Sequence, residues 1–324
     1  MALQRSDVHI DTALTTLAGG YRPSQLELVW DFLMPMKLVK KDSDKFFVFG
    51  REVFRTGQES SIWNDGTDYN TASYTVTQET YSCIQHALAD YVTDEQLRNS
   101  DVPLDPFNDA TEFLTDRLLL DLEKEVATKC TTAGNYPAAL TATPDVLWDT
   151  FATSDPINDI IVGCNAIRAQ IGVWPTRMVV GASAWIKLAQ HPDIVELVKY
   201  NKTGLPDTSV VASTYFNQFG LREIKVAGAI NITSVEGETE VVADVWGKHV
   251  VLAYVDPADG LKRPSFGRTF VSGGELGVGV EVEREPRVKR AQVVNVVKRW
   301  NPQFIMQDSS NGTIAGYFLN GVVS

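Results

Sequence analysis

The stretch Asp105-Pro-Phe-Asn-Asp-Ala-Thr-Glu-Phe-Leu-Thr-Asp-Arg-Leu-Leu-Leu-Asp-Leu-Glu-Lys-Glu-Val-Ala-Thr-Lys-Cys-Thr131 is the most regular in the chain. Asp105 can cap a helix, and Pro106 suits a first turn because the N–H it lacks would have had no helical partner. Apolar residues then fall at Phe107, Ala110, Leu114, Leu118, Leu122 and Val126, in steps of three and four that make one stripe. Glu112, Asp116, Asp121, Glu123 and Glu125 are assigned to the other faces. The spacing predicts one helix over 105–131, on the order of 40 Å long at ~1.5 Å per residue. That is long beside the globular mean of ~11 residues. Gly134 and Pro137 end it.

Upstream, residues 46–82 read as a long β-hairpin. The first arm runs from Phe46-Phe47-Val48-Phe49 through Val53-Phe54, and the second from Ser73 to Ser82 with Tyr74, Val76 and Thr80 at even spacing. Between them lies a polar tip, residues 57–67, with an Asp65-Gly66 turn. An isolated hairpin is marginal in water, so one this long needs a surface to lie on, its own or a partner's. Residues 1–45 read as an arm. Gly19-Gly20, Pro23 and Pro35 break it, and Leu26, Leu28, Val29, Trp30, Phe32 and Leu33 form a short apolar segment. That segment either covers an edge of the chain's own core or packs on a neighbouring subunit.

Downstream, residues 138–260 look α/β. Asp155-Pro156 opens a second helix with the stripe Ile157, Ile160, Ile161, Cys164, Ile167 and Ile171, closed by Gly172. A buried strand Met178-Val179-Val180 follows, then helices around 182–190 and 194–200, then strands at 223–226, 241–245 and 250–255. Residues 262–306 return to β. Within them, residues 284–299 hold six basic side chains against one acid. They form either a solvated strand face or a subunit contact opposite the acids of the long helix.

Composition narrows the function. The 324 residues are 44% hydrophobic and 22% charged, ordinary for a globular protein. Lys plus Arg total 29 against 41 Asp plus Glu, a formal charge of -12, which disfavours wrapping around nucleic acid. Cys83, Cys130 and Cys164 are sparse, odd in number and without a CxxC, a poor disulfide framework and a poor zinc site. The first residues carry no apolar signal core, and no run approaches the ~18 apolar residues of a membrane helix. The Asn-x-Thr triplets at Asn201, Asn231 and Asn311 are then chance matches, and the expected product is soluble and cytoplasmic.

Catalytic patterns are weak. Gly181-Ala-Ser183 sits between a strand and a helix, as a nucleophile elbow does, but Trp185 stands where a second small residue is required. Ser183 reads more simply as a helix-start residue. Gly273, Gly274, Gly277 and Gly279 lack the Gly-Lys-Ser/Thr of a phosphate loop and read as strand-entry glycines. His9, His86, His191 and His249 form no metal-ligand pair. No catalytic, cofactor-binding or metal-ligating residue is assigned. The unusual features are projecting: an arm, a hairpin, an over-long helix and a basic strand pair. Such pieces lose conformational entropy unless a partner orders them, which points to assembly.

The order of these pieces resembles tailed-bacteriophage major capsid proteins. The arm and hairpin are followed by Thr80-Tyr81-Ser82-Cys83, Ala87-Leu88-Ala89-Asp90-Tyr91, Asp94-Glu95 and Pro103-Leu104-Asp105 before the long helix. Then come Trp174-Pro175-Thr176-Arg177-Met178-Val179-Val180-Gly181, Trp185 with Leu188, His191-Pro192 with Lys199-Tyr200, and Ala243-Asp244-Val245-Trp246-Gly247-Lys248 with Ala253-Tyr254. The resemblance covers about residues 1–306, and its specificity lies in the order of the pieces.

The resemblance implies the Hong Kong 97 capsid fold, α+β, shared with encapsulins. It implies an N-terminal arm at 1–45, an E-loop hairpin at 46–82, and a P-domain at 83–137 and 262–306 with the spine helix at 105–131. It also implies an A-domain at 138–261, to which the tail 307–324 returns. Such subunits form pentamers and hexamers that tile an icosahedral shell around double-stranded DNA, held weakly and without sequence specificity. Subunit contacts are expected at Trp30 and Phe32 of the arm, Arg51, Arg55, Trp63 and Asp65 of the hairpin, Glu112 and Asp116 of the helix, and Arg284, Arg287, Lys289 and Arg290 of the basic strands. Some family members join an E-loop lysine to an asparagine of the next subunit, but residues 46–82 contain no lysine, so noncovalent stabilisation is expected. No fused scaffolding segment precedes the arm, so a separate scaffolding protein is expected, with a portal and a possible decoration protein. The implied place is the virion capsid, assembled in the host bacterial cytoplasm, with no cofactor and no membrane. The alternative is an encapsulin-like compartment shell.

Overall fold

The computed structural model describes residues 11–21, 27–51, 61–71, 76–100, 105–199, 207–214, 216–234, 237–256, 264–273, 278–285, 291–307 and 312–324. The elements begin with α1 (Thr12–Gly20), α2 (Trp30–Leu33), β1 (Met36–Val39), β2 (Ser43–Phe49), β3 (Val76–Ser82) and β4 (Ile84–Thr93). Then follow α3 (Asp94–Asn99), α4 (Pro106–Thr131), β5 (Thr141–Ala142), α5 (Pro156–Ile171), β6 (Arg177–Gly181), α6 (Ala182–Gln190), α7 (Pro192–Lys199) and α8 (Thr208–Thr214). The chain ends with β7 (Glu223–Ala227), β8 (Ile230–Ile232), β9 (Val242–Asp244), β10 (Val250–Ala253), β11 (Gly267–Ser272), β12 (Val278–Glu285), β13 (Ala291–Phe304) and β14 (Gly316–Leu319).

The long helix forms as its residues dictate. Asp105 accepts a hydrogen bond from the Phe107 N–H, and Pro106 takes the first position of a 26-residue helix. Its buried face is wider than one stripe: Thr111, Thr115, Leu119, Glu123 and Ala127 are buried beside Leu114, Leu118, Leu122 and Val126. Two rows are covered because α4 has neighbours on both flanks, the β4–β13 layer on one side and α1 and α2 on the other. Each fully buried leucine contributes about 1.5–3 kcal/mol of apolar burial.

The first five-stranded sheet runs β1-β11-β13-β12, with β4 on the free edge of β13. β13 is its axis: it pairs antiparallel with β4 from Ala291↔Thr93 to Trp300↔Ile84, with β12 over residues 291–298 and with β11 over residues 299–304. Its burial alternates, so Val294, Val296, Trp300 and Phe304 face the core. The sequence analysis assigned no element to 84–99, where β4 and α3 lie. β4 covers that edge with a half-exposed face, which leaves its hydrophobic signal shallow.

The second sheet runs β5-β14-β10-β6-β7. β6 and β7 are parallel, joined by the helical crossover through α6, α7 and α8. Asp155 caps α5 through the Asn158 N–H, and Gly172 ends it at φ +81, a conformation glycine adopts without strain. Pro192, expected only to break a helix, opens α7. β2 and β3 form a separate two-stranded ribbon in register Ser43↔Ser82 to Phe49↔Val76, and β8 and β9 form another. The expected hairpin is present, although its first arm stops at Phe49 as strand; Val53 and Phe54 lie outside the described residues.

Candidate assembly surfaces

The β2–β3 ribbon leaves the body at a well-packed base. Phe46 and Tyr81 pack on Phe270 of β11, with ring centroids at 5.2 and 4.5 Å. At the far end, residues 61–71 are all exposed. They are ordered by their own bonds. The Thr67 N–H and hydroxyl donate to the Asn64 carbonyl, and Gly66 sits at φ +88 in the Asp-Gly turn. Trp63 stacks on Tyr69 at 5.0 Å and 14°, and its indole N–H donates to the Thr67 carbonyl at 2.9 Å. The Asn70 amide donates to the Ile62 carbonyl at 3.2 Å. Ile62 is 77% exposed, Trp63 41% and Tyr69 76%. The tip thus displays three large apolar side chains on a turn held by its own hydrogen bonds. Trp63 and Asp65, both expected at a subunit contact, stand on this exposed tip. Tyr69 and Ile62 went unassigned, although an aromatic six residues after Trp63 across a glycine turn was a usable signal.

The arm is different. Trp30 and Phe32, expected at a subunit contact, are 4% and 5% exposed inside the chain's own core. This corrects the expectation: α2 lies between α4, β6 and β11, which leaves almost no surface of either ring for a partner. Arg177 and Lys225 hold their cations over Phe32, each 4.8 Å from the ring centre, and Arg177 also donates to the Phe32 carbonyl at 2.7 Å. α1 is fastened likewise, by Asp11 N–H to the Val280 carbonyl and by the Val280 N–H to the Thr15 hydroxyl.

A buried carboxylate ties these parts together. Glu123 of α4 is fully buried and accepts hydrogen bonds from the backbone N–H groups of Val29 (3.0 and 3.1 Å) and Trp30 (2.8 Å) and from the Trp246 indole. Burial raises its pKa, against the pull of those donors. The sequence analysis placed Glu123 on an outer face. Its position one residue past Leu122 and three before Val126 puts it on the widened inner face instead. At the helix end, Lys129 donates to the Pro302 carbonyl and to Gln303, and burial lowers its pKa.

The helix acids divide. Glu112 is half-buried, whereas Asp116 is turned toward α1 and accepts from the Tyr21 hydroxyl at 3.4 Å. Burial raises the Asp116 pKa, so this group serves the arm of its own chain. Nearby, an open groove of about 490 Å³ is lined by Asp90, Tyr91, Pro106, Asp109 and Phe113 among others. Of the basic strand residues, Arg284 pairs in register with Gln292, while Arg287, Lys289 and Arg290 lie outside the described residues, as does Arg55. Arg51 is half-buried just past β2. Lys298 and Arg299, part of the same basic run, lie on opposite faces of β13, and both are engaged by the chain itself. Lys298 is 9% exposed with its cation 5.9 Å from the Trp30 ring centre, and Arg299 donates to Gln85 and approaches Asp42.

Two serine arrangements imitate a hydrolase. Ser183, at the second position of α6, donates to Asp244 at 2.6 Å rather than to a histidine. Ser154 lies 3.1 Å from His191 Nε2, and Asp193 stands 3.5 Å from Nδ1. There the Asp193 N–H points at Nδ1 and the Ser154 hydroxyl donates to the Thr150 carbonyl. The serine proton is thus committed to a backbone carbonyl rather than aimed at the ring. Both are structural latches. All three cysteines are buried, and burial pushes the Cys164 thiol up to about 12 and Cys130 higher. Among the described residues no His, Cys, Asp and Glu group is placed to hold a metal, and no helix is long and apolar enough to cross a membrane.

Comparison with known proteins fits a chain whose distinctive surfaces are for contact. Residues 78–304 match the family described as phage capsid protein. A major capsid protein of Burkholderia phage BcepMu is 28% identical over 97% of this chain and 96% of its own length. A crystal structure of a phage-related protein from Bordetella bronchiseptica RB50 superposes with a TM-score of 0.76 at 25% identity, covering 97% of this chain and 98% of that one. The encapsulin complex holo-SrpI from Synechococcus elongatus PCC 7942 shares the fold at 11% identity, with a TM-score of 0.52 over 100% of this chain and 98% of that one. The long α4 under a β13-centred sheet, the projecting ribbon and the α/β sheet are the parts of the Hong Kong 97-like fold, and the chain belongs to the phage capsid protein family, whose major capsid proteins do structural rather than enzymatic work.

Proposed function

We propose that copies of this chain assemble as pentamers and hexamers into an icosahedral shell that encloses double-stranded DNA. The observation that carries this is the hairpin tip: eleven consecutive exposed residues, 61–71, ordered by their own hydrogen bonds and displaying Ile62, Trp63 and Tyr69. Arg51 at the ribbon, Trp63 and Asp65 at the tip and Glu112 on the helix supply subunit contacts, together with the basic residues Arg284, Arg287, Lys289 and Arg290. The net charge of -12 suits a lining against which packed DNA slides, because few cations hold its phosphates. A separate scaffolding protein, a portal and a decoration protein complete the particle, which is assembled in the host bacterial cytoplasm. The encapsulin-like compartment is the second reading, favoured by the encapsulin likeness alone.

The absence of lysine from residues 46–82 supports a shell without lysine–asparagine crosslinks through the hairpin. Arginine cannot replace lysine in that amide. Electron microscopy of the full-length chain tests the first claim: closed particles or isolated rings are expected, and a uniform monomer under every condition overturns it. A denaturing gel of purified particles tests the second: one subunit band is expected, and a ladder of linked subunits refutes it.

A further inference from the structure

The two ends of the β2–β3 ribbon carry complementary chemistry. The tip, residues 61–71, contains Asp65 and Asp68 and no basic residue, and presents the stacked Trp63–Tyr69 pair. The base, residues 37–45, contains Lys37, Lys40, Lys41 and Lys45 against Asp42 and Asp44. Both acids of the base are engaged within the chain. Asp42 accepts from the Ser272 hydroxyl at 2.5 Å and lies 4.0 Å from Arg299, and Asp44 pairs with Lys41 at 3.1 Å. Lys40, Lys41 and Lys45 are exposed, which makes this a displayed cationic segment in a chain of net charge -12. Beside it, Cys83 N–H donates to the Asp42 carbonyl, and the next residue, Ile84, is 61% exposed. An acidic, aromatic knob and a lysine-bearing, partly apolar seat therefore exist on one molecule. β2 carries the chain away from Lys45 to Phe49, and the tip begins only at Ser61 beyond the end of that strand, so a knob seats on another copy.

We propose that the tip of one copy docks on the Lys40–Lys45 segment of the next, with lysine ammoniums over the faces of Trp63 and Tyr69 and against Asp65 and Asp68. This deepens the shell reading and rests on it. A contact between two different patches of the same chain is heterologous, and repeated around an axis it closes a ring. Lys298 is buried and Arg299 is held by Gln85 and Asp42, which moves the seat from the basic strand to the ribbon base. Exposed ion pairs are individually weak, so the aromatic–lysine contacts carry the affinity and the carboxylates fix the register.

Two measurements on the full-length chain test this. Particles assembled from equal parts of isotopically heavy and light chain are treated with a carbodiimide, which condenses adjacent carboxylate and amine with loss of water. Mass spectrometry should find Asp65 or Asp68 joined to Lys40, Lys41 or Lys45 in heavy–light pairs, and the product should vanish in Asp65→Asn/Asp68→Asn. Separately, Asp65→Lys/Asp68→Lys and Lys40→Glu/Lys41→Glu should each lower particle yield at least tenfold, and the chain with all four changes should recover to within about twofold. Wild-type yield from both charge reversals, or no recovery from a combined chain that melts like wild type, overturns the pairing. Carbodiimide products that join the tip to another surface also overturn the pairing alone. A wild-type chain that forms no ring or shell overturns the shell reading, and the pairing with it.

Discussion

Replacing Glu123 with alanine should detach three parts of the molecule at once. The side chain is fully buried and satisfies three donors: the N–H groups of Val29 and Trp30 and the Trp246 indole. Each donor left without a partner in the interior costs ~1–3 kcal/mol. Losing a buried charge returns part of that, so the net loss is about 3–5 kcal/mol, as when one partner of a buried ionic contact is removed. That is a large share of a typical stability of ~5–15 kcal/mol. Urea unfolding of the unassembled chain, followed by tryptophan fluorescence, reads it directly because Trp30 and Trp246 both touch the carboxylate. The midpoint should fall by ~1 M or more, taking a slope of ~3 kcal/mol per M. A fall below ~0.3 M would refute the hub. The glutamine variant isolates the charge. Burial raises the folded pKa of Glu123, so folding favours the protonated form. Its contribution is complete below the unfolded value, ~4.3, and is lost as pH rises through the folded value. Glutamine does not titrate. The stability of wild type relative to Glu123→Gln should therefore shrink as pH rises above the unfolded value of ~4.3, and a difference constant with pH would contradict the reasoning.

Two further results are expected. The thiols of Cys83, Cys130 and Cys164 are buried and raised in pKa, so iodoacetamide at pH 8 should leave the folded chain unmodified and label three cysteines after denaturation; rapid labelling of Cys130 or Cys164 without unfolding would contradict their placement. Gly181→Ala should destabilise by ~1–3 kcal/mol or more, because a Cβ there collides with the backbone carbonyl of Gly247, which cannot rotate away; an unchanged urea midpoint would show that the β6–α6 turn is looser than described.

What the sequence made legible was what is local. The cap at Asp105 and the period of 105–131 lie within one element, and both ends of α4 fall within a residue of the expectation. The Asp65-Gly66 turn and the Gly172 cap are equally local and equally readable. Burial of Trp30 and Phe32 was undecidable because their covers, α4, β6 and β11, lie far along the chain. Glu123 was misplaced for the same reason: its donors sit 93 to 123 residues away, and no short window contains them. β4 was missed because its alternation becomes meaningful only beside β13, and the basic run at 284–299 was half misread because its last two members are held by the chain itself, Lys298 on the buried face of β13 and Arg299 on the opposite face beside Gln85. Family resemblance supplied the order of parts, while the direction of each side chain depended on long-range packing.

The position of β13 also bears on the timing of synthesis. Among the described residues it alone joins β4, made early, to β11 and β12, made late, and β14 completes the second sheet only at residues 316–319. Between the emergence of Thr93 and of its partner Ala291, about 200 residues must be translated, ~10–40 s at ~5–20 residues per second. Throughout that interval the ribbon, with its exposed aromatic tip, exists on a chain that lacks a central strand. A product terminated before residue 291 therefore carries the ribbon without the central strand of the sheet it stands on, and the second sheet stays incomplete until residues 316–319 have emerged.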